Sequence, residues 1–331
     1  MRVTRGEEGA EVPAIRATGV RKEFGAVEAV RGVDLTVAQG ELFGFLGPNG
    51  AGKTTMIAML CTLARPTAGR IAVAGYDAVL DPHEVRRRLG LVFQESTLDA
   101  DLTARENLRF HADLYAMPLA SLPVRIAEML DLVGLRERAG SLVRTFSGGM
   151  RRRLEIARGL LHRPRVLFLD EPTIGLDPAT RAEVWTYLHG VRENEETTMF
   201  LTTHYLDEAD RCDRIAILDR GRIVVEGPPE ELKAVLGADR VTLRTADDQV
   251  AAARLRERFG LPSTVGPTGI QVRVEDGARA VPRLCAGLDT AVYEVTVTRP
   301  SLDDVYLHYT GHGIGDADPD DAVLTPTGEQ P

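Results

Sequence analysis

Gly47, Gly52, Lys53 and Thr54 fall in the spacing G-x-x-x-x-G-K-[ST], within the stretch "GPNGAGKTT". The apolar run "ELFGFLG" precedes it and "TTMIAMLCTLA" follows, so the expected context is strand, loop, helix. Glycines there let successive backbone N–H groups turn toward phosphate oxygens with no side chain in the way. The expected cradle is therefore Gly47, Pro48, Asn49, Gly50, Ala51, Gly52, Lys53, Thr54 and Thr55. Lys53 suits the β- and γ-oxygens of a nucleoside triphosphate, and the Thr54 hydroxyl suits Mg²⁺.

A second stretch, "RVLFLDEP", carries Asp170 and Glu171 at the end of an apolar run. Phosphoryl transfer needs a metal carboxylate at a strand end beside the phosphate loop. Asp170 fits that role, and Glu171, one residue on, is placed to accept a proton from an attacking water. Taken alone, these two elements suit a GTPase, a kinase or a helicase equally well. A third stretch, "TFSGGMRRRLEIA", opens a helix at Ser147, Gly148 and Gly149 but carries no lysine. Such a helix N-terminus is an anion site. Leu154, Ala157, Leu160 and Leu161 form one apolar stripe on this helix, which leaves Arg151, Arg152 and Arg153 mostly on its solvated face. No aromatic residues interleave the arginines, which argues against a nucleic-acid platform.

With the phosphate loop, "SGGM" resembles the nucleotide-binding domain of ABC ATPases. Further motifs match in order: Gln94 in "LVFQE" stands at the Q-loop glutamine, Asp177 in "GLDP" at the D-loop, and His204 in "LTTHYLDEAD" at the switch histidine. Phe24 in "RKEFGAVEAV" stands where the family usually has a tyrosine to stack on adenine. The stretches "GGMRRRLEIA", "THYLDEAD" and "RPSLDDVYLHYTG" are similar to ATP-binding subunits of the daunorubicin-resistance type of drug exporter. Two departures are Met150 for the usual glutamine and Phe146 for leucine; the phosphate-touching Ser147–Gly149 are intact.

The resemblance implies ATP as ligand and Mg²⁺ as cofactor, with Thr54, Gln94 and Asp170 toward the metal. It implies Glu171, His204 and Gln94 in catalysis. It also implies a head-to-tail homodimer, in which Ser147, Gly148, Gly149 and Asp177 of one copy complete the ATP site of the other. A separate transmembrane permease follows from the same resemblance, as does a peripheral place on the cytoplasmic face of the membrane. The function expected is an ATP-hydrolysing subunit that powers export of drugs, antibiotics or other hydrophobic compounds. The alternative is a non-transport ABC ATPase acting on DNA or ribosomes. The DNA-repair type inserts coiled coils or zinc clusters and the translation type joins two ATPase domains, whereas this chain shows a single P-loop.

These residues need a scaffold, and 331 residues leave room for two domains. The net charge of −9 argues against a dedicated nucleic-acid binder. Cys61, Cys212 and Cys285 are odd in number and form no CxxC pair, so neither a zinc site nor a disulfide framework is expected. No run approaches the ~20 apolar residues needed to span a bilayer, and the N-terminus lacks the apolar core of a signal peptide. The expectation is a soluble, cytoplasmic protein whose membrane contact goes through a partner.

The fold class expected is α/β: a P-loop NTPase domain of ABC ATPase type over 13–227, with strands alternating with helices. A helical insertion is expected over about 99–141. Over 237–311 a β-α-β-β-α-β order of patterns predicts a small α+β, ferredoxin-like module. Residues 1–12 read as loose and 313–331 as a disordered tail.

Overall fold

A computed structural model describes residues 12–195 and 197–314. The segment up to residue 11 and the tail from 315 lie outside the described residues. The chain divides into two units, one reaching to Glu226 and the other covering Gly227–Ile314.

The first unit holds two sheets. Ile15–Phe24 pairs antiparallel with Val27–Val37 on one side and with Ala68–Val73 on the other, and Tyr76–Asp77 extends that edge. No helix separates the first two strands, so strict alternation of strands and helices over 13–227 is corrected here. Ile15 and Ala17 are buried while Arg16 and Thr18 are exposed, the period-two signature of a sheet with one covered face.

The second sheet runs in the order Arg222–Gly227, Arg214–Asp219, Leu42–Leu46, Thr198–Thr203, Val166–Asp170, Leu89–Val92. Leu42–Leu46 pairs parallel with both of its neighbours, and Val166–Asp170 does the same. Every residue of 42–46, 166–170 and 198–203 is buried, which is why these strands read as continuous apolar runs. Register aligns their C-terminal ends: Leu46 faces Thr203, Asp170 faces Thr202, and Val92 faces Leu169. The phosphate loop, Glu171, Gln94 and His204 therefore all leave one edge of the sheet. Open α/β sheets bind their ligands at that carboxyl edge.

The insertion consists of helices Ala104–Leu114 and Leu122–Leu132, followed by short turns at Arg136–Arg138 and Val143–Thr145. Thr103 and Glu106 cap the first helix reciprocally, which satisfies two of its free N–H groups. A bridge between Thr103 and Leu142 joins the ends of the insertion. Helix Gly148–Leu160 then packs closely over the edge strand Leu89–Val92. A Cβ on Gly90 would stand 2.2 Å from the Gly159 carbonyl oxygen, so only glycine fits there.

The second unit carries a four-stranded antiparallel sheet in the order Ser263–Gly266, Gly269–Val274, Asp239–Thr245, Val292–Thr298. Helices Asp248–Phe259 and Gly277–Gly287 complete a β-α-β-β-α-β chain order, the split β-α-β arrangement. Their shared core includes Val241, Leu243, Ala251, Leu255, Ile270 and Leu284. This unit starts before residue 237 because helix Pro229–Val235 packs on helix Leu302–Thr310. Among the described residues no helix is long and apolar enough to cross a membrane.

Candidate functional site

The phosphate loop is shaped by what surrounds it. A Cβ on Gly47 would meet the Leu218 carbonyl oxygen at 2.4 Å, and one on Gly52 would meet that of Ala29 at 2.5 Å. Gly52 also has φ of +106°, a conformation open to glycine. Helix Lys53–Leu60 begins directly after it with no side-chain cap, so its first N–H groups face the loop. Lys53 Nζ is buried and donates to the carbonyls of Gly47 at 2.7 Å and Pro48 at 3.0 Å. Burial pushes its ammonium below the usual value, against the pull of Glu171 and Asp170. Thr54 is exposed at the mouth of the loop.

Across the strand ends stand two carboxylates and a histidine. Asp170 is buried and its Oδ1 accepts from the Thr202 hydroxyl at 2.5 Å. Burial raises the Asp170 carboxyl, with Thr202 opposing. Glu171 Oε1 lies 3.5 Å from Lys53 Nζ, and its Oε2 lies 3.0 Å from His204 Nδ1. Neither Glu171 Oε2 nor His204 Nδ1 has an aligned hydrogen-bond partner, although both atoms are buried. Buried polar atoms of this kind call for a partner, which a ligand or water reaching them can supply. The Glu171 backbone has φ of +45°, an uncommon value for a residue with a side chain, and its N–H donates to the Thr202 carbonyl and hydroxyl oxygens.

The remaining expected residues fall in two places. Gln94 is exposed two residues beyond strand Leu89–Val92, at the same carboxyl edge. Phe24 ends its strand with 54% of its surface exposed and Lys22 Nζ 4.8 Å from its ring centre; it is no core phenylalanine. Ser147, Gly148, Gly149 and Asp177 form a separate group. Ser147 caps helix Gly148–Leu160 by accepting from Met150 N–H at 3.2 Å. Asp177 accepts from the N–H groups of Ala179 and Thr180 and from the Thr180 hydroxyl. Thr180 also closes over Gly149, where a Cβ would clash at 2.2 Å. Ser147 and Gly148 remain exposed, while Phe146 is buried, which accounts for a large apolar residue there.

Arg152 was not expected here. It is 6% exposed, which corrects its placement on a solvated face, while the apolar stripe of Leu154, Ala157, Leu160 and Leu161 is buried. Its guanidinium donates to the carbonyls of Pro172 at 2.5 Å, Asp170 at 3.0 Å and Glu171 at 3.1 Å, and also to that of Phe93. A further bond at 3.1 Å reaches Glu155, whose other oxygen accepts from Thr97 N–H. Burial lowers the Arg152 pKa while Glu155 opposes. One side chain thus ties the Ser147 helix to the backbone beside both Glu171 and Gln94. Its spacing to Glu155, a helical i,i+3 pair, was the available signal. Arg153 instead lies on Tyr187, 5.2 Å from the ring centre.

The donor set fits Mg²⁺. Hydroxyl and carboxylate oxygens from Thr54 and Asp170 are hard ligands, and Mg²⁺ takes one or two carboxylates plus substrate phosphates.

The chain is similar to known proteins in sequence and fold. The ABC transporter family matches residues 30–174. The daunorubicin resistance ATP-binding protein DrrA3 of Streptomyces coeruleorubidus is 43% identical over 304 residues, covering 90% of this chain and 96% of its own. The daunorubicin/doxorubicin resistance ATP-binding protein DrrA of Streptomyces peucetius is 41% identical over 322 residues, covering 94% and 96%. Among solved structures, a dimeric ATP-binding cassette in a post-hydrolysis state with ADP and Pi is similar at 30% identity. Its TM-score is 0.59, with 65% of this chain and 98% of that one covered. With the phosphate loop, the acidic strand end and the serine-capped helix all in their places, the chain belongs to the ATP-binding proteins of the ABC transporter family.

Proposed function

We propose that the chain is the Mg²⁺-dependent ATPase of a drug or antibiotic exporter, working as a head-to-tail dimer under a separate membrane permease. The observation that carries the chemistry is the meeting of Lys53, Glu171 and His204 at the carboxyl edge of a parallel sheet. The names of the relatives favour export over action on DNA or ribosomes.

Lys53 and the loop N–H groups bind the β- and γ-phosphates, and Phe24 offers its exposed ring to adenine. Glu171 accepts the proton of a water directed at the γ-phosphate, while His204 orients that carboxylate and the phosphate. Thr54, Asp170 and Gln94 hold Mg²⁺, which when bound neutralises charge on the phosphates. Ser147–Gly149 of a second copy present N–H groups, a hydroxyl and a helix N-terminus to the same γ-phosphate, and Asp177 lies beside them on the dimer seam. The exposure of Ser147, Gly148 and Asp177 supports a role across an interface.

The permease is proposed to engage the insertion, on the peripheral, cytoplasmic side of the membrane. Phe110 and Leu114 are 60% and 67% exposed and line a cavity of about 280 Å³ with Thr97 and Arg158. Arg158 in turn holds the Thr97 carbonyl at 2.9 Å. That segment follows Gln94, so nucleotide state and permease contact share one stretch of backbone.

Glu171→Gln tests the reading: steady-state turnover should fall ~10²–10⁴-fold, the range for loss of a general base, with ATP affinity retained. Near-normal hydrolysis in that variant would refute the base assignment.

A further inference from the structure

On the C-terminal sheet, Val241 and Leu243 point into the core, so Arg240, Thr242 and Arg244 point to the other face. At one end of that face charges are matched. Arg244 stands in register with Glu294, their charged groups 3.7 Å apart. At the other end they are not. Arg240 stands in register with Arg273 on one neighbouring strand and with Thr298 on the other, where Arg299 follows. Like charges directly opposite one another destabilise a sheet.

These three arginines line a cavity of about 230 Å³, walled on one side by Leu307 and His308. Asp304 is the carboxylate in that lining. It is already engaged, accepting from the Ser301 N–H and hydroxyl and pairing with Arg240 at 3.4 Å. The side chains of Arg273 and Arg299 make no hydrogen bond or ion pair with any described residue. A chain of net charge −9 thus gathers three guanidinium groups around one hollow and answers them with one carboxylate.

We propose that this cavity binds a phosphate-bearing anion, either a free phosphate compound or the headgroup of an anionic phospholipid. Guanidinium groups match phosphate oxygens in paired, planar hydrogen bonds. Two of the arginines stand on adjoining strands, the third follows the end of the next strand, and all three line the one hollow. The volume is below the ~300 Å³ of the smallest drug-sized pockets, which suits one phosphate with little else enclosed. Leu307, half exposed at the rim, gives the organic part of the ligand an apolar contact. The bound anion also answers the facing pair Arg240 and Arg273, of which Arg240 alone has a carboxylate partner.

The test uses the full chain with its nucleotide site saturated by ADP, so that binding at the phosphate loop is masked. Inorganic pyrophosphate is titrated by calorimetry, and flotation is measured with phosphatidylglycerol vesicles against phosphatidylcholine vesicles. Binding of pyrophosphate marks a soluble phosphate compound as the ligand; binding confined to phosphatidylglycerol vesicles marks a lipid headgroup. In the Arg273→Gln/Arg299→Gln double variant the affinity should drop at least about tenfold, the loss of roughly one charge-assisted contact, with ADP affinity unchanged. Without either probe the double variant should melt at the same temperature or up to about 3 °C higher, because repulsion is relieved. The proposal is overturned if neither probe binds, if the double variant binds as the parent does, or if its melting temperature falls.

Discussion

Glu171 must stay close to the phosphates and still be free to take a proton. Contacts at 3.5 Å to Lys53 and 3.0 Å to His204 hold it without aligned hydrogen bonds to its Oε2. Its backbone is held by Arg152, which binds the carbonyls of residues 170, 171 and 172. Lysine keeps the charge at position 152 but loses the planar fork. Arg152→Lys should therefore fold and bind ATP with near-normal KM while kcat falls ~10–100-fold, the scale of a small misplacement of reacting groups. Arg152→Ala should instead unfold more easily, by roughly 3–5 kcal/mol, because buried partners are left unpaired. Equal losses in kcat and KM for the lysine variant would point to general damage rather than positioning. The motif residues were legible because glycine spacing, a lysine and an acidic strand end are local chemistry. Arg152 was not, since its partners come from segments up to 59 residues away and three arginines in a row look like solvent-facing charge.

At the scale of elements, helix Gly148–Leu160 is the joint between insertion and sheet. Arg152 holds its first turns, and Arg125 from the insertion donates to the Leu160 and Leu161 carbonyls at its far end. Beside it, His111 of the insertion lies 5.8 Å from His162, which stacks on Tyr115 at 3.9 Å. Burial, then Arg158 and His162, push the His111 pKa down to about 3; burial also lowers that of His162, with its bond to the Leu89 carbonyl opposing. An unfolded histidine titrates near pH 6.5, so between that value and about 3 the unfolded chain binds more protons. Stability should be intact above pH 6.5 and fall as pH drops below it, with His111 contributing ~1–2 kcal/mol of loss by pH 5. Thermal melts of His111→Phe across pH 4.5–7.5 should show a shallower slope than the parent; an unchanged slope would remove His111 from the account. The continuous apolar strands and the insertion's helices were readable from pattern. The hairpin that opens the first sheet was not anticipated, because its strands turn back through two residues, Gly25 and Ala26, too short a signal to stand out.

For the whole molecule, a dimer with shared sites predicts complementation. A head-to-tail pair places one copy's Lys53 opposite the other's Ser147. Mixing Lys53→Ala protein with Ser147→Arg protein, each inactive alone, should rebuild one intact site per mixed dimer. Random pairing makes half the dimers mixed, so about a quarter of parental activity is expected if the sites act independently. No recovery over a range of mixing ratios would show that the two motifs do not meet across copies. The class of exported compound is suggested by similarity to resistance proteins.

Left-handed backbone at Glu171 sets stability against activity at a single position. Holding a side chain there costs on the order of 1 kcal/mol, which glycine would not incur. A screen for heat resistance alone should therefore favour Glu171→Gly, a protein that melts later and no longer turns over. Glutamine retains both the conformational cost and the shape, so its melting temperature should stay near the parent's. Comparing the two substitutions separates what the carboxylate does from what its backbone withholds.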